Sequence, residues 1–414
     1  MKKASSRFLM LLICSSLWLS ACGNTETVPK DKYSIQTPAE FVSEYDYDIY
    51  DNGLLYHDGD SLCFLDYQTM QGVPICNKPN CQHRDSSCVS RLCTGGGSFE
   101  PIVYQDYVYF FSAAEEIVDA EDGKSQTFQI HTKCMRANLH DGEVETFAEF
   151  EGLNPTDYMK SVVADNMLYF IGSDGNPVQK ENGSWSYRSN GGKQYLCSLN
   201  LDNGSFQQIG HINDSSYAKN NTIIEGNSVS TIYDTVEIDG IYQGKIYMHY
   251  RYVEDQQTLI EACETYGEDL EKLYDEAYVP WVIVNQCYNL ETGELTASDL
   301  PYAKVIAENT YVYWDQEKEQ YVIRKADNTE VPAVGLQKAY QLYLVNQKLW
   351  SCIENEFYTA QCFDIASEHL YAMQTTADGQ RIVMDYVDGN YIVEETETRG
   401  VTFSEMPEKS LIGD

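Results

Sequence analysis

Positive charge is scarce in this chain of 414 residues. Its 28 lysines and arginines face 64 aspartates and glutamates, for a net charge of −36. Nucleic-acid backbones and anionic membrane surfaces are bound through basic patches, so both are excluded as natural partners. An acidic surface leaves room for cation binding, although a solvated face with no ligand is the plainer reading. Long apolar runs are missing as well. The longest, Phe8 to Leu19, is 12 residues, and a bilayer span needs roughly 20. Catalytic signatures are equally absent. There is no G-x-S-x-G elbow, no H-E-x-x-H zinc helix and no phosphate loop, since Gly95-Gly96-Gly97 lacks the following lysine. No sialidase-type Ser-x-Asp-x-Gly-x-Thr-Trp box occurs. The 7 histidines, at 57, 83, 131, 140, 211, 249 and 369, show no pair at ligand spacing.

What is present begins at the first residues. Lys2, Lys3 and Arg7 precede the Phe8–Leu19 stretch, the pattern of a secretory signal. Leu19-Ser20-Ala21-Cys22 matches a bacterial lipobox, in which the cysteine is acylated and becomes the first mature residue. The expectation is a signal peptide over 1–21, a lipid on Cys22, and a polar, proline-bearing tether over 22–32. Residues 33–414 would then stand at the outer face of the cytoplasmic membrane, with membrane lipid as the first partner. Loss of the 3 basic signal residues would leave a mature charge of −39.

Tyrosine is abundant at 33 residues and sits well on half-buried strands. A degenerate repeat supports that leaning. Each unit has a strand rich in aromatics, a variable hairpin and a second strand running into a turn. Val103–Phe111 leads to Lys133–Leu139 and His140-Asp141-Gly142. Val162–Ile171 leads to Tyr195–Leu201 and Asp202-Asn203-Gly204. Ile238–Tyr250 leads to Gln286–Leu290 and Glu291-Thr292-Gly293. The register returns at Leu54–Asp66, Thr310–Arg324, Leu342–Asp364 and Arg381–Val393. Asp-Gly and Asn-Gly between alternating strands are hairpin signals. The fold class expected is therefore all-β: a β-propeller of about seven irregular blades, within six to eight. A pair of β-sandwiches is the competing architecture. Residues 112–127, 173–192 and 252–280 read as loop insertions, with one short amphipathic helix over Thr258–Tyr278.

The cysteines divide into two groups. Cys63, Cys134, Cys197, Cys287 and Cys362 fall at one place in their repeats, which reads as packing: a small apolar residue in a buried strand. Free buried thiols are unusual in an exported chain and hint at a reducing or anaerobic habitat. The second group is a cluster of Cys76, Cys81, His83, Cys88 and Cys93. Thiolates and imidazole suit a tetrahedral zinc site, and in an extended segment Cys81 and His83 project to one side. Two disulfides pinning a loop, or reduced thiols, are the other states open to it. No zinc-finger spacing settles the choice. Asp46, Asp48 and Asp51 alternate as calcium ligands do, yet fit the usual loop poorly, and a polar strand edge is the simpler reading.

The segment Cys76-Asn-Lys-Pro-Asn-Cys81-Gln-His83, shortly after a lipobox and a first blade, resembles uncharacterised β-propeller lipoproteins of anaerobic Gram-positive bacteria, which carry a domain of unknown function with "YF…G…LY" repeats. The pattern extends over most of the mature chain, and its specific part is residues 76–93. The resemblance implies a cell-surface propeller and no particular activity. Three roles follow as expectations. The first is a non-enzymatic propeller binding a glycan or an envelope protein, with exposed aromatics as contact surfaces. The second is a carbohydrate-active hydrolase or lyase using paired acids. The third is a structural or redox- and metal-sensing protein centred on the cysteine cluster.

Overall fold

A computed structural model of the chain describes residues 33–34, 47–50, 53–58, 61–76, 81–83, 88–92, 102–119, 126–155, 161–174, 178–179, 185–186, 193–212, 222–225, 228–231, 236–254, 256–266, 278–307, 309–339, 341–352, 359–373, 380–397 and 400–412. The chain divides into two units, Met1–Ser34 and Ile35–Asp414. In the first, Tyr33 and Ser34 are in strand conformation; the signal segment, Cys22 and the tether lie outside the described residues.

The second unit is a β-propeller of seven antiparallel sheets, and the strands that this unit contributes to each come from one contiguous stretch of chain. Blade 1 comprises Tyr47–Tyr50, Gly53–Asp58, Ser61–Asp66 and Gln71–Pro74. Blade 2 comprises Ile102–Tyr104, Tyr107–Asp119, Gln126–Asn138 and Val144–Glu151. Blade 3 is Val162–Ala164, Met167–Ser173, Gln194–Asn200 and Phe206–His211, and blade 4 is Glu237–Tyr242, Lys245–Tyr252, Val282–Asn289 and Leu295–Ala297. Blade 5 runs through Ala303–Ala307, Thr310–Asp315, Gln320–Arg324 and Glu330–Pro332; blade 6 through Gln341–Val345, Lys348–Cys352, Thr359–Asp364 and His369–Ala372. Blade 7 has three strands among the described residues: Gln380–Val387, Asn390–Glu397 and Gly400–Pro407.

One local device recurs as the third strand turns into the fourth. An Asx residue ends the strand, and its side-chain oxygen accepts hydrogen bonds from the backbone N–H groups two and three residues on. Asp66, Asn138, Asn200, Asn289 and Asp364 all do this. Such side chains mimic a backbone turn. In blades 2, 3 and 4 a glycine closes it, with φ of 71° at Gly142, 73° at Gly204 and 71° at Gly293, where an L side chain is strained. These are the turns the repeat marked in the sequence.

First strands of neighbouring blades abut through blades 3 to 7 and between blades 1 and 2, placing them innermost. At Gly240 the approach is closest: a Cβ there would lie 2.9 Å from the Cβ of Ile306 in blade 5. Apolar cores fill the gaps between blades. Tyr109, Phe111 and Cys134 of blade 2 meet Leu168, Phe170 and Cys197 of blade 3. Trp350 and Cys362 of blade 6 meet Val383, Tyr391 and Val393 of blade 7.

Tyrosine is plentiful because its ring fills these gaps while its hydroxyl stitches blades together. Tyr109 donates to the Leu201 carbonyl of the turn in blade 3 (3.4 Å) and Tyr242 to that of Lys325 just past the third strand of blade 5 (2.6 Å). The Tyr343 hydroxyl of blade 6 accepts from Val383 N–H of blade 7, and that of Tyr391 accepts from the Asn346 amide beside blade 6. The ring closes between blades 1 and 7. There Leu54, Tyr56, Cys63 and Leu65 share a core with Met384 and Ile392, and Tyr56 packs edge-on against Phe403 at 4.9 Å.

Two expected insertions differ. Residues 112–127 are largely strand: the second and third strands of blade 2 run 13 residues each and stay paired out to Asp119 and Gln126. Of the expected helix over 258–278, Gln256–Tyr266 is helical and residues 267–277 lie outside the described residues. Among its described side chains, Leu259 and Ala262 are buried.

Candidate metal centre

The fourth strand of blade 1 ends at Pro74, and the chain that follows carries Cys76, Cys81, His83 and Cys88 before a single helical turn, Val89–Leu92. The ligand atoms of these four residues all lie within 4.8 Å of one another. His83 Nδ1 is 3.4 Å from Cys88 Sγ. In a tetrahedral zinc site with bonds of roughly 2.0–2.3 Å, ligand atoms stand about 3.5–3.8 Å apart. The spacing is thus close to that of a coordination shell.

Blade 1 fixes both ends of this segment. The Leu62 carbonyl, on the third strand, accepts Ile75 N–H at 3.2 Å and the buried Ser90 hydroxyl at 2.9 Å. Arg91 N–H donates to the Cys88 carbonyl and closes the terminal turn. Ile75, Cys76, Cys88 and Val89 belong to the core between blades 1 and 2, with Leu55, Leu62, Val103, Val108 and Phe110. Cys76 is 8 % and Cys88 0 % exposed, whereas Cys81 and His83 are half-buried. The centre therefore has an inner and an outer side. His83 is in the left-handed backbone region at φ 52°, so convergence with Cys81 comes from a turn and not from an extended run.

Burial pushes the Cys88 thiol up to about 11, reinforced by hydrogen bonding with Cys76 and Cys81 and by the Cys76 charge. Three thiols packed this closely ionise together only when a cation compensates their charge, which is what a soft divalent metal supplies. No disulfide joins any two of the nine described cysteines. Cys93, the fifth cluster residue singled out in the sequence, lies outside the described residues, as do Asp46 and Asp51.

The five repeat cysteines are all buried, on the third strands of blades 1, 2, 3, 4 and 6. They share a strand without sharing a register. Cys134, Cys287 and Cys362 stand an even number of residues before their Asx turns and face the following blade; Cys63 and Cys197 stand three before and face the preceding one. Strand alternation accounts for the two directions. Cys352 lies in the same core as Cys362.

A second polar group, in blade 4, had no motif to mark it. His249 is 2 % exposed, with Nδ1 2.7 Å from Asp239 Oδ1 and Nε2 3.6 Å from Glu237 Oε2. Its ring packs on Tyr302 at 4.2 Å. Glu237 and His249 are cross-strand partners, so the readable signal was an acid-x-acid pair opposite a strand that carries His249 and Arg251 among aromatics. Burial disfavours the imidazolium, but the Asp239 and Glu237 carboxylates outweigh it and hold the pKa above the ordinary histidine value.

No family model matches the chain, and no curated protein matches it. Among solved structures it is similar to an oligogalacturonate lyase from Vibrio parahaemolyticus, at 10 % identity and a TM-score of 0.46, covering 92 % of this chain and 98 % of that one. A polysaccharide lyase of the ulvan lyase type shows 11 % identity and a TM-score of 0.41, covering 91 % and 94 %. The β-propeller domain of the trilobed protease from Pyrococcus furiosus shows 9 % and 0.36, covering 74 % and 81 %. These likenesses concern architecture, and no residue role passes from those proteins to this chain.

Proposed function

We propose that this chain is an envelope-anchored, partner-binding β-propeller whose first interblade junction is pinned by a structural zinc ion. Cys76, Cys81, His83 and Cys88 hold the metal. The observation that carries the reading is the convergence of three sulfurs and one imidazole nitrogen within 4.8 Å. A closed Cys3His set is the donor chemistry of a structural site, since a catalytic zinc keeps an open position. Zinc here would clamp the segment between blades 1 and 2 onto Leu62 and keep the apolar core beneath it covered. The anchor is the lipid on Cys22, supported by the charge, length and box of the first 22 residues. The loops at the ends of the blades are then the surface offered to an envelope protein or glycan.

The test is metal content and anchoring together. The full-length chain, purified without chelator, should carry about one zinc per molecule. Cys88→Ser and His83→Ala should each lower that occupancy sharply. Cys22→Ala should move the chain from the membrane fraction to the soluble fraction. Metal-free wild-type protein that takes up no zinc would defeat the metal assignment, and an unchanged distribution of Cys22→Ala would defeat the anchor.

A further inference from the structure

Of the nine cysteines whose side chains are described, eight are buried, and Cys81 alone is half-buried. Its sulfur lies within 4.8 Å of those of Cys76 and Cys88. Among the cysteines whose side chains are described, the least buried thiol thus stands next to two buried partners, in the same cluster that reads as a metal centre. We propose that Cys81 is the entry point of a peroxide-responsive switch, in which oxidation of the centre expels its metal and leaves a disulfide. The inference rests on the zinc reading above and adds the regulation of that site.

The chemistry closes with a peroxide as co-reactant. The Cys81 thiolate attacks the O–O bond: an S–O bond forms, the O–O bond breaks, and the departing oxygen leaves as hydroxide or alkoxide and takes up a proton. Cys88 or Cys76 thiolate then attacks the resulting sulfenic sulfur. The S–S bond forms as S–O breaks, and hydroxide leaves to be protonated to water. Two sulfurs give up one electron each, and the peroxide accepts both. One thiolate and His83 remain, half of a tetrahedral shell, and zinc departs as the hydrated ion.

Geometry confines the reaction to this cluster. Cys63, Cys134, Cys197, Cys287, Cys352 and Cys362 are sealed between blades, out of reach of an aqueous peroxide. Cys81 is half-buried where Cys76 and Cys88 are buried, and its partners need only close the last few ångströms to a disulfide. The segment consequently reports an oxidant by loss of its clamp while the rest of the ring stays intact.

Full-length, zinc-loaded chain is titrated with hydrogen peroxide while released zinc and free thiols are counted, and the cysteines are then mapped by mass spectrometry. The expected result is one zinc released for two thiols lost, Cys81 joined to Cys88 or Cys76, and recovery of the metal after reduction in the presence of zinc. A loaded chain that keeps its zinc, or one whose thiol loss spreads evenly over the interblade cysteines, overturns the switch and leaves the metal reading standing. A chain that holds no zinc before treatment overturns both.

Discussion

Tyr67 donates its hydroxyl to Asp385 Oδ2 at 2.7 Å across 318 residues of chain, joining blade 1 to blade 7. Among the described residues, no strand of blade 1 pairs with a strand of blade 7. The closure among these residues rests on side chains: this hydrogen bond, the Tyr56–Phe403 contact and the shared core around Leu54 and Ile392.

Removing that bond should therefore be felt by the whole ring. Tyr67 is largely buried, and a hydrogen bond to a charged group contributes about 1.5–3 kcal/mol. Tyr67→Phe is expected to lower unfolding stability by about that amount, read as a shift in the denaturant midpoint. Combining it with Asp385→Asn should add little further loss, since both changes break one interaction. Full additivity of the two would place the closure elsewhere.

The His249 group predicts a pH dependence. Its pKa is raised in the folded chain by Asp239 and Glu237, so the folded state binds the proton more tightly than the unfolded state does. The stabilisation is fully present below the unfolded value of about 6.5 and is lost as pH rises through the folded value. Wild-type stability should accordingly fall with rising pH over that window. In Asp239→Asn the slope should flatten, because the carboxylate that binds Nδ1 is gone. An unchanged slope would mean that the Asp239 carboxylate does not set the proton affinity of His249.

Cys362 is fully buried between blades 6 and 7, and burial raises its pKa further still. If it serves as a small apolar filler, Cys362→Ala should cost about 1 kcal/mol through lost contacts. Cys362→Ser should cost about 1–3 kcal/mol, because a hydroxyl is less tolerated there. Equilibrium unfolding of both variants checks the order. A serine variant as stable as wild type would point to a polar role for the thiol.

Much of the ring was legible in the sequence, for a physical reason. The second and third strands of blades 2 and 3 are long, and the third strands end in turns with strong local chemistry, at Asn138–Gly142 and Asn200–Gly204. First strands such as Ile102–Tyr104 and Val162–Ala164 are three residues long, too short to stand apart, so Val103–Phe111 and Val162–Ile171 each read as one strand where the structure has two strands and a turn. The length of the blade 2 ribbon was hidden because Glu115, Glu116 and Asp119 read as loop, although the backbone pairs through them. The two directions of the interblade cysteines depend on single-residue offsets from the turn, which a degenerate repeat blurs. Cys76, Cys81, His83 and Cys88 stood out by residue type. Their convergence depends on the Leu62 carbonyl and on a left-handed His83, neither of which spacing reveals.

The most direct test of the central claim is zinc X-ray absorption on the full-length chain purified without chelator, with metal content measured on the same sample. The expected shell is three sulfurs at about 2.3 Å and one nitrogen at about 2.0–2.1 Å, at about one zinc per chain. Substitution of Cys88 by serine should remove one sulfur from that shell or abolish binding. A chain without zinc that binds none when it is supplied, or a zinc shell of oxygen and nitrogen only, would contradict the account.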